Sequence, residues 1–246
     1  ASALKRILIK MQFPIIKYIL RQADIILAAN EYERDIFLKL CDSSKIRIVR
    51  NGIDLDELKT SNIDFKRKYS IKNNFILFLG RFHKVKGVDV LLHSIHEIKN
   101  NPLLQNIDFV ILGSDFGYEK QMLQLIDELK INNKVHVIKN SPRNDVIAAY
   151  NECEFLVLPS RWELSPLTPL EGFAFKKAVI STTAHGIPYT IKNDINSILV
   201  EPSNSHELAR AIITLIQDAK FCEKLGNSGY ESVRETQNAD SRSENS

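Results

Sequence analysis

The sequence predicts an α/β fold, a Rossmann-like parallel sheet with helices on both faces. Apolar runs of strand length alternate with segments of helical period from Ala23 to about Val200. Most of these runs are continuously apolar, as strands covered on both faces must be. A chain of 246 residues with 44% hydrophobic content can also fill the core that such a sheet needs.

The elements follow in order. Leu4 to Leu20 forms a helix in which Ile7, Leu8, Met11, Ile15, Ile16 and Ile19 are interleaved with Lys5, Arg6, Lys10, Lys17 and Arg21. Such a helix either buries its apolar side against a partner domain or lies, over residues 4–20, on an anionic membrane surface. Strands are expected at Asp24 to Ala28 and Ile46 to Val49, and the Asn51-Gly52 turn opens a polar stretch from Asp54 to Asn74. That stretch separates two α/β units. Residues 1–44 are too few to close a core alone, so this first unit either packs on the larger one or belongs to a further domain.

Residues 45–234 make the main domain. Its strands are expected at Phe75 to Leu79, Phe109 to Leu112, Val135 to Ile138, Phe155 to Leu158, Val179 to Ser181 and Ile198 to Val200. Between them, Val88, Leu91, Leu92, Ile95 and Ile98 form one helical stripe, and Met122, Leu125, Ile126 and Leu129 another. The last helices run from Ser205 to Glu235, and residues 235–246 hold so little to bury that disorder is expected.

Composition removes several function classes. Thirty-three basic residues against 30 acidic ones leave a net charge of +3, which provides no dense basic stripe for nucleic acid. Cys41, Cys153 and Cys222 are odd in number and form no C-x-x-C pair, so neither a disulfide framework nor a zinc site is indicated and a reducing, cytoplasmic location fits. No run reaches the ~18 apolar residues of a membrane span. The nine glycines form neither G-x-G-x-x-G nor a P-loop, which counts against dehydrogenases and P-loop NTPases.

Two segments carry chemistry. In Leu79-Gly80-Arg81-Phe82-His83-Lys84-Val85-Lys86-Gly87 a strand ends in a short basic loop that opens a helix. Ligands of open α/β sheets bind at such strand ends, and an Arg and a Lys five apart beside a helix N-terminus suit an anion. Each cation attracts a unit charge by roughly 4 kcal/mol at about 4 Å and an effective dielectric near 20, before desolvation. A solvated basic loop is the alternative. In the second segment, Leu158 to Glu171, Glu163 lies in a loop after a strand and Glu171 eight positions on in the next helix. Two carboxylates can accept hydrogen bonds from two sets of sugar hydroxyls. Alternatively, Thr168-Pro169-Leu170-Glu171 is a helix capping box and Glu163 a surface acid.

Three further features invite metal or ligand readings. Asp54-Leu55-Asp56 has metal-binding spacing, but after an Asn-Gly turn and before Glu57-Leu58 it reads as an ordinary helix start. His93 and His96, three apart on a helix, fall off its apolar stripe and read as solvated. His83 and His185 lie in loops near the expected ligand, where either a ligand contact or a structural role fits.

Taken together, Asn51-Gly52-Ile53-Asp54, Leu79-Gly80-Arg81 with Lys86-Gly87, the Glu163 and Glu171 pair, Gly186-Ile187-Pro188 and Asn196 to Pro202 resemble the C-terminal domain of retaining GT-B glycosyltransferases of family 4 over residues 23–220. The resemblance implies that Gly80, Arg81, Lys86, Glu163, Ser165, Pro166, Leu167 and Glu171 face a nucleoside diphosphate sugar. Arg81 and Lys86 would hold the diphosphate and stabilise its charge as it departs, Glu171 would hold the ribose hydroxyls and Glu163 the transferred sugar. Arg81, Lys86 and Glu163 would thus be the catalytic set, with no metal and no cofactor. Residues 1–44 would be the end of the family's N-terminal acceptor domain, whose other part would meet a glycan or lipid-linked glycan at the cytoplasmic face of a membrane. This chain alone would then be inactive. A non-catalytic nucleotide-sugar-binding module and a GT-B-shaped epimerase are the alternatives. The sequence departs from the family at Ser165-Pro166, where Phe-Gly is usual, at His185, where a glycine is common, and at Tyr189, where a glutamate is frequent.

Overall fold

The computed structural model describes residues 3–58 and 61–243, with side chains for 12–58 and 61–235. The chain forms two compact units, Ala1–Asn51 and Gly52–Ser246.

In the first unit, helix α1 (Ala3–Gln22) precedes strand β1 (Ile26–Ala28), helix α2 (Glu31–Phe37), a 3-10 turn (Ser43–Lys45) and strand β2 (Ile46–Ile48). Asn30 caps α2 by accepting from the Glu33 amide at 3.0 Å, and the Glu33 carboxylate accepts from the Ala29 amide at 2.7 Å. Lys45 Nζ donates to the carbonyls of Arg21 and Ala23, closing the end of α1. The side chains of Phe13, Ile15, Ile16, Tyr18 and Ile19 are exposed. Those before Gln12, half of the interleaved apolar and basic pattern expected here, lie outside the described residues.

The division between the two compact units falls at Asn51 and Gly52, beside the expected domain limit at residues 44 and 45 and just before the polar stretch expected to separate two units. Ile46 pairs in parallel with Ile26, and Ile26, Ala28 and Ile46 share a small buried cluster. The parallel ladder binds β2 to β1, so the strand stays with the first unit.

The first helix of the second unit lies inside the polar stretch. Helix α3 (Phe65–Lys68) is capped by Asp64, and Glu152 accepts from the Phe65 and Lys66 amides at 2.6 and 3.0 Å. Phe65 is fully buried. Strand β3 (Asn74–Leu79), a 3-10 turn (Lys84–Lys86), helix α4 (Val88–Ile98), a 3-10 turn (Pro102–Leu104), strand β4 (Ile107–Gly113), helix α5 (Glu119–Leu129) and strand β5 (Val135–Lys139) make the first half. Helix α6 (Arg143–Glu152), strand β6 (Leu156–Val157), helix α7 (Leu167–Ala174), strand β7 (Val179–Thr182), helix α8 (Ile187–Thr190), strand β8 (Ser197–Val200), helix α9 (Ser205–Gln217) and helix α10 (Ala219–Ser243) complete it.

The six strands of this unit are all parallel, in the order β5-β4-β3-β6-β7-β8. Counted within the unit this is 3-2-1-4-5-6, the doubly wound order, whose strand sequence reverses between β3 and β6. Side chains alternate faces along a strand. Ile76 and Phe78 of β3 therefore join one core layer with Val88, Leu91, Leu92 and Leu208, while Phe75 and Leu77 join the other with Phe65, Tyr150, Phe173 and Ile187. Each fully buried Phe or Leu contributes roughly 1.5–3 kcal/mol. Asp145 on α6 anchors α3, accepting from Lys68 Nζ at 2.6 Å and Tyr69 Oη at 2.5 Å. Burial raises the Asp145 carboxyl, but these hydrogen bonds outweigh it and hold the group below the usual aspartate value.

Helix α10 continues to Ser243, into the residues 235–246 for which disorder is expected. Nothing between Tyr230 and Ser243 is Pro or Gly, Val233 is buried as an anchor, and a helix already nucleated extends by one hydrogen bond per residue without apolar burial. The three cysteines are unpaired; burial pushes the Cys153 thiol up to about 12 and the Cys222 thiol up to about 11. Among the described residues no helix is long and apolar enough to cross a membrane.

Candidate ligand site at the sheet crossover

The order reversal between β3 and β6 brings the loops after both strands together. After β3, the Gly80 amide donates to Leu112 O at 3.0 Å and the Phe82 amide to Ser114 O at 2.8 Å, so this loop runs along the end of β4. A Cβ on Gly113 would lie 1.9 Å from Gly80 O, which only glycine permits. His83 Nδ1 accepts from the Val85 amide at 3.1 Å and so caps the turn that carries Lys86. Gly87 then takes a left-handed φ of 70°, and a Cβ there would meet Pro159 O at 1.9 Å. That close approach sets the β3 loop against the β6 loop.

Arg161 fastens the same two loops. Its guanidinium is bidentate to Asp89 at 2.6 and 2.8 Å, donates to Lys84 O at 2.7 Å and reaches Ser203 Oγ at 2.9 Å, while its backbone amide donates to Val85 O. A cavity of about 230 Å³ lies beside this junction, lined among others by Lys86, Ser160, Glu163, Ser165, Leu167 and Thr168. Pro166 also lines it and is the N-cap of α7, so the first turn of that helix faces the cavity. Pro166 has no N–H, which leaves the amides of Leu167 and Thr168 as the donors of that turn nearest the helix start.

The expected site residues fall into three settings. Lys86 and Glu163 form an ion pair, with side chains 19% and 17% exposed, and Ser160 Oγ donates to the same Glu163 oxygen at 3.1 Å. Ser160 is buried, and its carbonyl accepts from Thr182 Oγ1 at 2.6 Å. Glu171 lies outside the cavity lining. Arg143 donates to its Oε1 and Tyr150 Oη to its Oε2, both at 2.7 Å. Arg81 is exposed with its guanidinium 4.9 Å from the Phe116 ring centre, and neither it nor Gly80 lines the cavity.

The capping-box alternative for Glu171 is corrected. Helix α7 starts at Leu167, two residues earlier than Pro169 suggests, its N-cap makes no side-chain hydrogen bond, and the Glu171 carboxylate is taken by Arg143 and Tyr150. Tyr150 is fully buried and stacks on Phe175 with ring centres 5.3 Å apart. Burial, then the Glu171 charge, raises the Tyr150 hydroxyl well above its usual value, so it stays a donor.

Other candidates have local roles. Asp54 Oδ1 accepts from the Asp56 amide at 2.8 Å in a turn, not at the helix start expected there. His96 Nδ1 contacts Leu129 O at 2.8 Å, and His93 is exposed. His185 takes a φ of 51° with its ring 6.0 Å from that of Trp162. Among the described residues no group of three His, Cys, Asp or Glu side chains could hold a metal ion. Sequence reasoning missed Ser160, the Arg161–Asp89 fastener, and the Arg143 and Tyr150 partners of Glu171. Arg161 stands inside the motif, but its partner is 72 residues away, a distance that no local pattern reveals.

Residues 60–232 match the profile of the family described as glycosyl transferases group 1. The chain is 29% identical over 220 residues to an uncharacterized glycosyltransferase of Methanocaldococcus jannaschii, covering 87% of this chain and 56% of the relative. It is 26% identical over 195 residues to a D-inositol 3-phosphate glycosyltransferase of Thermobifida fusca, covering 76% and 45%. The chain therefore spans about half the length of these relatives. Among solved structures, Anabaena HepE in complex with UDP and glucose superposes with a TM-score of 0.81 at 20% identity, covering 95% of this chain and 67% of that one. A Rickettsia africae glycosyltransferase gives 0.81 at 23%, covering 92% and 62%. The two structures share this fold.

Proposed function

The chain belongs to the glycosyl transferases group 1 family, and on that premise we propose that it is the donor-binding part of a longer, retaining hexosyltransferase. A nucleoside diphosphate sugar binds at the carboxyl ends of β3 and β6. Lys86 holds the diphosphate from the turn after β3, with Arg81 reaching over from the Phe116 face. Glu171, oriented by Arg143 and Tyr150, accepts hydrogen bonds from the ribose hydroxyls. Glu163 accepts from hydroxyls of the sugar, and the amides of Leu167 and Thr168 face the distal phosphate.

The observation that carries this reading is the cavity at the crossover, where one cation from the β3 loop and one carboxylate from the β6 loop meet under the first turn of α7. A volume of about 230 Å³ accommodates a phosphate and part of a sugar, below the ~300 Å³ lower bound for sites of drug-sized ligands. The nucleoside then lies along the open strand ends toward Glu171. The complex of HepE with UDP and glucose supports the choice of ligand class.

In the transfer step, negative charge grows on the leaving diphosphate, and a cation already in place there lowers the barrier without reorganisation. Lys86 and Arg81 supply that charge, so the site needs no divalent metal. Glu163 orients the sugar. The acceptor, a glycan or lipid-linked glycan hydroxyl, meets this site from the remainder of the longer protein on the cytoplasmic side, and this chain by itself does not transfer. Calorimetric titration with UDP, GDP and ADP, each with and without Mg²⁺, tests the reading. One nucleotide binding equally well in both conditions is expected. Binding by none, or only with Mg²⁺, contradicts it.

A further inference from the structure

Lys86 and Glu163, assigned to different parts of one donor, are paired with each other in the free protein. Their ion pair is less than one-fifth exposed, and Ser160 donates to the same Glu163 oxygen. Building on the donor-site reading above, we infer that Glu163 determines specificity by competing with the diphosphate for Lys86, so that the site favours an intact nucleoside diphosphate sugar over the bare nucleoside diphosphate.

The argument is one of charge and hydrogen-bond supply. Lys86 brings a single positive charge on a compact ammonium. It cannot neutralise a carboxylate and a diphosphate together, so an incoming diphosphate draws Lys86 away from Glu163. Glu163 does not follow it out of the cavity, because Ser160 holds it. Ser160 is itself buried and tied through its carbonyl to Thr182 Oγ1 at 2.6 Å, and the Glu163 carbonyl accepts from the Gly186 amide at 3.0 Å. A carboxylate with less than a fifth of its side chain open to solvent is thus left beside a ligand of the same charge, which opposes binding.

The sugar changes that balance. An ionised carboxylate only accepts hydrogen bonds, and sugar hydroxyls on the distal phosphate donate them. The donor therefore replaces the partner that Glu163 loses, whereas the bare nucleoside diphosphate does not. After transfer, when the sugar has gone, the Lys86–Glu163 pair re-forms against the remaining diphosphate and favours its release. Glu163 thereby acts against product retention without touching the nucleoside.

The test uses the full 246-residue chain. UDP, GDP and ADP, each alone and as its glucose conjugate, are titrated into wild type and Glu163→Gln. In parallel, urea unfolding without ligand is measured for wild type, Lys86→Met, Glu163→Gln and the double variant. Glu163→Gln is expected to bind the bare nucleoside diphosphate roughly two- to fivefold tighter, the size of an ion pair removed from competition, with no such gain for the glucose conjugate. In the unliganded protein the double variant should lose less stability than the two single variants summed, which is the signature of coupling. Unchanged or weakened nucleotide binding by Glu163→Gln overturns the inference. Additive stability losses also overturn it, since removal of a negative charge alone would then account for tighter binding. If wild type binds none of the three nucleotides, the donor-site reading itself has failed; normal wild-type binding with an unaltered variant sinks only the competition.

Discussion

Glu163 and Glu171 lie eight residues apart on one strand-to-helix connection, and the protein holds them in opposite ways. Glu163 is in the cavity and spends its charge on Lys86, the cation expected to receive the ligand. Glu171 is on the helix that follows, outside the cavity, and is fixed by Tyr150 from the buried layer and by Arg143 from the surface. One carboxylate must break a contact before it meets a ligand. The other is already oriented, with two of its roughly four acceptor sites filled. The difference teaches that equal residue types at family spacing need not be equally prepared: Glu171 is organised for binding, Glu163 for exchange.

Substitutions separate the two regions. The largest effect is expected for Lys86→Met, which removes the cation and leaves Glu163 unpaired. Affinity for the bound nucleoside diphosphate should fall roughly ten- to a hundredfold, the size of a charged hydrogen bond, and calorimetry reads this directly. Arg81→Ala, on the exposed Phe116 face, should cost less. Equal losses would place Arg81 inside the working site as firmly as Lys86.

Glu171→Ala should weaken nucleotides carrying a ribose by about tenfold and leave inorganic pyrophosphate unaffected. If both weaken alike, Glu171 serves only to anchor α7 through Tyr150 and Arg143. Tyr150→Phe leaves a carboxylate oxygen without its buried donor and should lower stability by about 1–2 kcal/mol, measured by urea unfolding. Arg143→Ala, whose own side chain is more than half exposed, should cost only about 0.2–1 kcal/mol. A larger loss from Arg143 than from Tyr150 would reverse the assignment of the rigid support.

Acid provides a contrast from outside the site. The Asp145 carboxyl is held below its unfolded value, so its contribution to the α3–α6 contact is fully present above the unfolded pKa near 3.8 and is lost as pH falls through the lower folded value. Thermal unfolding should show this part of the acid sensitivity below about pH 4 in wild type and not in Asp145→Asn. The same pH dependence in both would assign it to other carboxylates.

Much of the fold was legible because its signals are local. All eight expected strands are present, and the continuous apolar runs of β3 and β4 are strands covered on both faces, whereas Leu27 of β1 is exposed. The unit that β2 joins was not legible, because a parallel ladder, not neighbouring sequence, decides where that strand belongs. Within the site, the motifs identified Lys86 and Glu163 but not that they pair, since 77 residues separate them. Tyr150 carries no motif of its own, and only the tertiary fold brings its hydroxyl to Glu171, 21 residues away. The reading of Thr168 to Glu171 as a capping box failed for a similar reason. Local spacing allowed it, but a tertiary donor took the carboxylate first.

The central claim is that the two glutamates divide the ligand between them, and one set of titrations tests it most directly. The nucleoside diphosphate that wild type binds, its glucose conjugate and pyrophosphate are each titrated into Glu163→Gln and Glu171→Ala. The account predicts opposite changes for the bare nucleotide, tighter in Glu163→Gln and weaker in Glu171→Ala, with pyrophosphate spared by the second substitution. Weakening of the nucleotide by both substitutions, with pyrophosphate weakened alongside, would contradict it.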